Sequence, residues 1–236
     1  MDDACLDLKR VRVHRHEATQ SLLGDTIAIT DEQWGQPSLL PGWTRAHVAT
    51  HIARNADAFV RIMTQLRSDQ PTSMYESDAA AREDIERGSE RTALELQVDL
   101  DASAGRLHAH LPELMAMQPD RLVQLSPTMT ERLDRLPLVR LNEVVLHHID
   151  LDVGFTYKAI GTEVAAWLLA FNAQHIGRTP NYPAIRIVSE SGVTVVIGRR
   201  GKATVVHGAD NFLLAWLTRR LPTGTASRRL PRLPDR

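Results

Sequence analysis

This sequence predicts a mainly α fold: an antiparallel four-helix bundle followed by a small C-terminal α+β domain. Three observations carry that prediction. Four stretches in the first two-thirds place apolar residues three and four apart, the period of a helix with one buried face. Polar or turn-rich segments separate these stretches and allow long excursions between helices. The last third changes to β-branched runs interrupted by "SESG" and "GRRG", the pattern of short strands joined by turns.

The first helix is expected over roughly 4–31, ending at the turn formers of "TDEQWGQPSLLPGW". The second starts after Thr44 and carries Val48, Ile52, Ala56, Phe59 and Met63 on one face. The polar segment "SDQPTSMYESDAAAREDIERGSE" reads as a loop holding a short helix. A third helix covers roughly 90–116, ahead of Pro119. A connecting segment around "LSPTMTERLDRLPL" leads to the fourth, roughly 137–155. Beyond it come a helix near 161–176, short antiparallel strands, and a final apolar helix in "NFLLAWLTRRL" that packs back onto them. The expected domains are 1–157 and 158–236, and no internal repeat is visible.

Composition narrows the function classes. With 28 Lys and Arg against 29 Asp and Glu, the net charge is −1 and no long basic stripe stands out, so nucleic acid is not an expected partner. The basic tail "SRRLPRLPDR" is proline-rich and aperiodic, which suits a solvated extension. No apolar run approaches the roughly 20 residues that span a bilayer, and "MDDACLDLKR" lacks the apolar core of a secretion signal. The single cysteine, Cys5, rules out an internal disulfide and fits a reducing cytoplasm. It is a poor nucleophile, since no neighbouring motif would lower its pKa. Thiol chemistry here would need a sulfur from elsewhere.

One stretch invites chemistry. In "RLNEVVLHHID", Glu143, His147 and His148 stand among Leu141, Val144, Val145, Leu146 and Ile149. Glu143 and His147 are four apart and project from one helix face, where a carboxylate and an imidazole can grip a divalent cation. Such a pair is also a common surface motif worth a few tenths of a kcal/mol. Spacing leaves both readings open. His148 points about 100° away and suits solvent or an interface. Asp150, three beyond His147, suits a hydrogen-bond partner for that imidazole, and a surface or capping role suits it at least as well. The second helix offers His47 and His51, again four apart, for the other half of a site. His14, His16, His108, His110, His175 and His207 are read as surface or satisfied groups.

The segments "LLPGWTRAHVATHIARNADA", "TSMYESDAAAREDIERGS", "RLNEVVLHHIDL" and "FLLAWLTRRLPTG" together resemble the mycothiol-dependent maleylpyruvate isomerases. These belong to the DinB-like superfamily of metal-binding four-helix bundles, and the resemblance runs nearly end to end. It implies zinc held by His51, Glu143 and His147, with His47 a neighbour. It also implies an arginine of the C-terminal domain, Arg220, that binds and acts on the substrate. The family commonly has Gly-Arg at this point, whereas this sequence has Arg219 before Arg220.

The implied activity converts maleylpyruvate to fumarylpyruvate in gentisate degradation, with zinc and mycothiol as cofactors. A thiolate adds to the cis alkene, the resulting single bond rotates, and expulsion of the thiolate leaves the trans alkene. Zinc would favour the deprotonated thiol, and Arg220 would pair with a carboxylate of the dianionic substrate. A pocket at the domain junction, a cytoplasmic location and a monomer are expected. Two other functions fit the same sequence: a mycothiol S-transferase that detoxifies electrophiles, or a non-enzymatic zinc-binding regulatory protein.

Overall fold

The computed structural model describes residues 6–114, 120–126, 129–176, 182–222 and 230–234. Cys5, much of the basic tail and the expected end of the third helix near 116 lie outside the described residues. The chain divides into two compact units, one of Leu8–Gly154 and one from Phe155 onward with the described residues before Leu8. The architecture is the expected one, a helical bundle and a small α+β unit.

The bundle is built from α1 (Leu8–Thr26), α3 (Arg45–Arg67), α5 (Ala93–Leu114) and α6 (Leu136–Asp150). Two shorter helices, α2 (Asp31–Trp34) and α4 (Asp78–Ser89), lie in the excursions. Two bundle helices run each way. At one end, the Asp31 carboxylate of α2 accepts from the Ala93 amide that opens α5, and Leu39 donates its amide to the Asp150 carbonyl that closes α6. α3 begins at that same end, where Arg45 binds the carbonyls of Leu151 and Asp152.

Local chemistry sets several boundaries. The first expected helix is two. α1 stops at Thr26, whose hydroxyl donates back to the Leu22 carbonyl at 2.9 Å, and Thr30 restarts α2 through a reciprocal capping box with Gln33. The break redirects the chain so that Trp34 enters the core among Leu22, Val48, Ile52, Leu96 and Leu151. Thr44 caps α3 in the same reciprocal way, with His47 as its partner. α6 ends at Asp150, several residues before its apolar pattern fades. Arg45 binds the Leu151 and Asp152 carbonyls just beyond it, and Asp152 and Gly154 turn the chain with positive φ values of 54° and 105°.

The segment before α6, read from sequence as a plain connection, forms a hairpin of β1 (Leu122–Ser126) and β2 (Met129–Arg132). Its buried positions are Val123, Leu125 and Glu131. A two-residue alternation this short is easily lost beside the polar residues that interrupt it.

In the second unit, α7 (Thr162–Ile176) and α8 (Asp210–Leu217) accompany three strands in the order β4-β3-β5. These are β3 (Pro183–Ser189), β4 (Thr194–Ile197) and β5 (Arg200–Gly208). The expectation of antiparallel strands holds for β3–β4 but not for β3–β5, which are parallel. After β4 the chain crosses the start of β3 in two residues, with Arg199 donating its amide to the Tyr182 carbonyl at 3.2 Å. Gly198 makes this possible: its φ is 69°, and a Cβ there would meet the Tyr182 and Pro183 carbonyl oxygens at 2.3 and 2.2 Å.

Candidate metal centre

α6 is apolar on nearly every side and is buried accordingly. Along its 15 residues, the positions not fully buried are Glu143 and His147. The helix that anchors the bundle core therefore opens to the outside where its acid and first imidazole stand. α3 runs antiparallel to it and brings His51 opposite.

The three side chains converge. His51 Nε2 lies 3.3 Å from Glu143 Oε2, and His147 Nε2 lies 3.5 Å from the same oxygen. One donor atom from each falls within 4.8 Å of the other two. A tetrahedral zinc with bonds of about 2.0–2.1 Å separates its donor atoms by about 3.3–3.4 Å. Two of the three spacings thus match the edge of such a tetrahedron, and the set of two imidazoles and one carboxylate is a common one for catalytic zinc. The side chains are 15–24% exposed, so further coordination positions face outward.

Electrostatics prepare the donors. Burial pushes the Glu143 carboxyl up, but hydrogen bonds and charge from His147 and His51 outweigh it and hold the group well below the usual carboxylate range. Burial lowers the His51 pKa against the opposing pull of Glu143, which favours the neutral imidazole. A deprotonated acid and a neutral imidazole are the forms that bind a cation.

Asp150 completes the arrangement. It is buried, and its Oδ2 lies 2.9 Å from His147 Nδ1. A carboxylate there accepts a hydrogen bond from Nδ1–H, which leaves Nε2 as the nitrogen directed towards Glu143 and open to a cation. Trp43 packs its indole against His51, with ring centroids 5.6 Å apart.

His47 is engaged elsewhere. Its Nδ1 accepts from the Thr44 amide at 3.3 Å, and its Nε2 lies 3.3 Å from Glu86 Oε2 and 3.3 Å from Ser89 Oγ, both on α4. The cap of α3 thus turns this imidazole towards α4. His148, expected at solvent or an interface, is buried with its Nε2 3.0 Å from Asp25 Oδ2 of α1. The α1–α6 packing covers that face, which the helix alone did not reveal. Arg220 follows α8 and is half-buried, its Nη1 donating to the Thr218 carbonyl at 3.0 Å. Arg219 is exposed, has a φ of 64°, and donates from Nη2 to the Pro234 carbonyl.

Two polar residues beside the site escaped the sequence reading. Arg140 is buried, and its Nη1 donates to Asn55 Oδ1 at 2.6 Å and to the Ile52 carbonyl at 2.9 Å. Their signal was spacing: Asn55 is four after His51, and Arg140 is three before Glu143.

Comparison with known proteins agrees with the fold. Residues 15–152 match the family model described as the mycothiol maleylpyruvate isomerase N-terminal domain. No curated protein matches the sequence significantly. Two solved structures share the fold over 97% of both chains at 23% identity. One is a crystal structure of a mycothiol-dependent maleylpyruvate isomerase, with a TM-score of 0.83. The other is a His-to-Ala mutant of a mycothiol-dependent maleylpyruvate isomerase, with a TM-score of 0.85. The family model spans more than half of the sequence and takes in all three converging side chains, so this chain belongs to the mycothiol maleylpyruvate isomerase N-terminal domain family.

Proposed function

We propose that this protein is a mycothiol-dependent maleylpyruvate isomerase whose metal is held by His51, Glu143 and His147. The observation that carries the reading is the convergence of these side chains at 3.3 and 3.5 Å, on helices inside the matched family region. Zinc bound there would supply Lewis acidity and stabilise the thiolate of an incoming thiol. Asp150 keeps the His147 proton on Nδ1, and Glu143 offers a charged oxygen between two imidazoles. Three protein donors leave room for exogenous ligands, which suits catalysis better than a closed structural site.

The sulfur comes from mycothiol. Thiolate addition at the alkene carbon moves the double-bond electrons onto the conjugated carbonyl, the new single bond rotates, and expulsion restores a trans alkene. Arg220 is assigned the substrate carboxylate, because a guanidinium pairs with a carboxylate through two parallel hydrogen bonds. The proposed setting is gentisate degradation in the cytoplasm. No described helix is long and apolar enough to cross a membrane.

The test is a coupled assay of maleylpyruvate conversion to fumarylpyruvate, with and without mycothiol, alongside metal analysis. The wild type should turn over only with mycothiol. His51→Ala, Glu143→Ala and His147→Ala should lose both zinc and activity. Arg220→Ala should keep zinc and lose most turnover. Retained zinc and full activity in all three ligand variants would sink the assignment. Conjugation of an electrophile such as monochlorobimane without any isomerisation would make the protein a mycothiol S-transferase instead.

A further inference from the structure

The three donors come from two helices, and only part of their geometry is set within one of them. Glu143 and His147 share a face of α6, so the helix itself fixes their separation. The distance from His51 to that pair depends instead on where α3 lies along α6. A slide of about 1 Å between the helices is enough to loosen a site of this kind.

Arginines tie the two helices on both sides of the donors. α3 runs from Arg45 through His51 to Asn55, while α6 runs the other way, from Arg140 through Glu143 and His147 to the turn at Leu151. At one flank Arg45 donates from Nε to the Leu151 carbonyl at 2.8 Å and from Nη2 to the Asp152 carbonyl at 2.9 Å. At the other flank Arg140 Nη1 donates to the Ile52 carbonyl at 2.9 Å and to Asn55 Oδ1 at 2.6 Å. The Arg45 tie is partly open to solvent, whereas Arg140 and Asn55 are buried, at 3% and 4% exposure.

Burial makes the Arg140 tie the firmer of the two. A guanidinium only donates, and a helix carbonyl such as that of Ile52 keeps a second lone pair for it. Burial lowers the Arg140 pKa only to about 10, so the group is a cation at neutral pH and its bonds are charge-assisted. With so little exposure, water is not at hand to replace either acceptor or donor, and breaking the tie leaves them unmet. The two acceptors lie one and four residues after His51, so Arg140 grips the turn of α3 that begins at the donor.

We propose that Arg140 is a positioning residue for the metal: anchored in α6, it clamps Ile52 and Asn55 of α3 and so holds His51 at coordinating distance from Glu143 and His147. This rests on the reading of those three side chains as metal ligands. The clamp touches neither metal nor substrate. It fixes the register of α3 on folding, so that an incoming cation does not have to assemble the donor triangle itself, and affinity rises by that saving in ordering. Asn55 shares the role, because it is the side chain that receives the shorter of the two bonds.

The test is zinc titration of the metal-free protein against a chromophoric chelator. Arg140→Met keeps an unbranched side chain and removes the donors; its zinc dissociation constant should rise about 10- to 100-fold. Asn55→Leu should raise it about tenfold, and adding it to Arg140→Met should change the constant by less than about threefold, since the clamp is then already gone. Arg140→Lys, which restores a cationic donor, should recover part of the affinity. Ile62→Val serves as the control: it loosens the buried face of α3 eleven residues, or about 16 Å, beyond His51. Its urea midpoint should fall while its zinc constant stays within about twofold of wild type. An Arg140→Met constant within threefold of wild type would overturn the proposal, as would equal weakening in Ile62→Val, which would assign the effect to general loosening. Should Arg140→Met fail to fold, Asn55→Leu decides alone, and a constant within twofold of wild type overturns the clamp. If the wild type itself binds no zinc, the ligand reading fails first and this inference falls with it.

Discussion

Replacing Asp150 by Asn probes how the metal centre is prepared. The Asp150 carboxylate sits 2.9 Å from His147 Nδ1 and is 1% exposed, so no water is at hand to replace it. The ionised acceptor holds a proton on Nδ1 and keeps Nε2 directed towards Glu143, 3.5 Å away. An Asn is the same size but uncharged. If its carbonyl faces the ring, a charge-assisted bond becomes a neutral one of roughly half the strength. If its NH2 faces the ring, Nδ1 must accept, and the proton moves to the nitrogen that should bind metal. Losing such a partner typically weakens metal binding about 10- to 100-fold, or about 1.4–2.8 kcal/mol. Titration of the metal-free protein with zinc against a chromophoric chelator measures this directly. A dissociation constant within twofold of wild type would refute the reasoning, and would mean that His147 is positioned by packing alone.

Two further predictions concern the scaffold. Burial pushes the His148 imidazole down to about 4, against an ordinary value near 6.5. Between those values the unfolded chain takes up a proton that the folded chain refuses, so stability is lost as pH falls through this window. The loss amounts to at most about 3 kcal/mol. Urea unfolding of the metal-free protein from pH 7 to 4.5 should show it, and His148→Phe should flatten the slope; an identical slope in the variant would assign it to other groups. Gly88 lets α4 lie against α3, where an added Cβ would meet Thr50 Cγ2 at 2.3 Å. Gly88→Ala should cost about 1–3 kcal/mol in urea unfolding, and Thr50→Ala in the same chain should recover part of it. Additive effects of the two substitutions would show that the contact is not the cause.

What lay within a turn or two of chain was legible before any folding. Apolar spacing marks α3, α5, α6 and α7, and the Glu143–His147 pair declares itself because four residues on a helix return to one face. Even here, local capping chemistry intervened: Thr30 with Gln33 split the first helix, and Arg45 closed α6 early. The periodic signal could not see those boundaries, because one pairs side chain with backbone and the other comes from a residue more than a hundred positions away. Spacing also left His47 and His51 equivalent, and it took resemblance to known proteins to prefer His51.

Tertiary structure decided the remaining questions through contacts distant in sequence. It set His47 against Glu86 of α4, and it brought His51 across 92 residues to Glu143. It buried His148 beside Asp25 and made β5 parallel to β3 by threading Gly198 past the start of that strand. It also linked Arg140 and Asn55 across the bundle. The physical reason is the same in each case. Helical periodicity specifies which side chains share a face, while the surroundings of that face are supplied by whichever other helix or loop packs against it. For α6, that packing covered every residue except the two that spacing had singled out, Glu143 and His147.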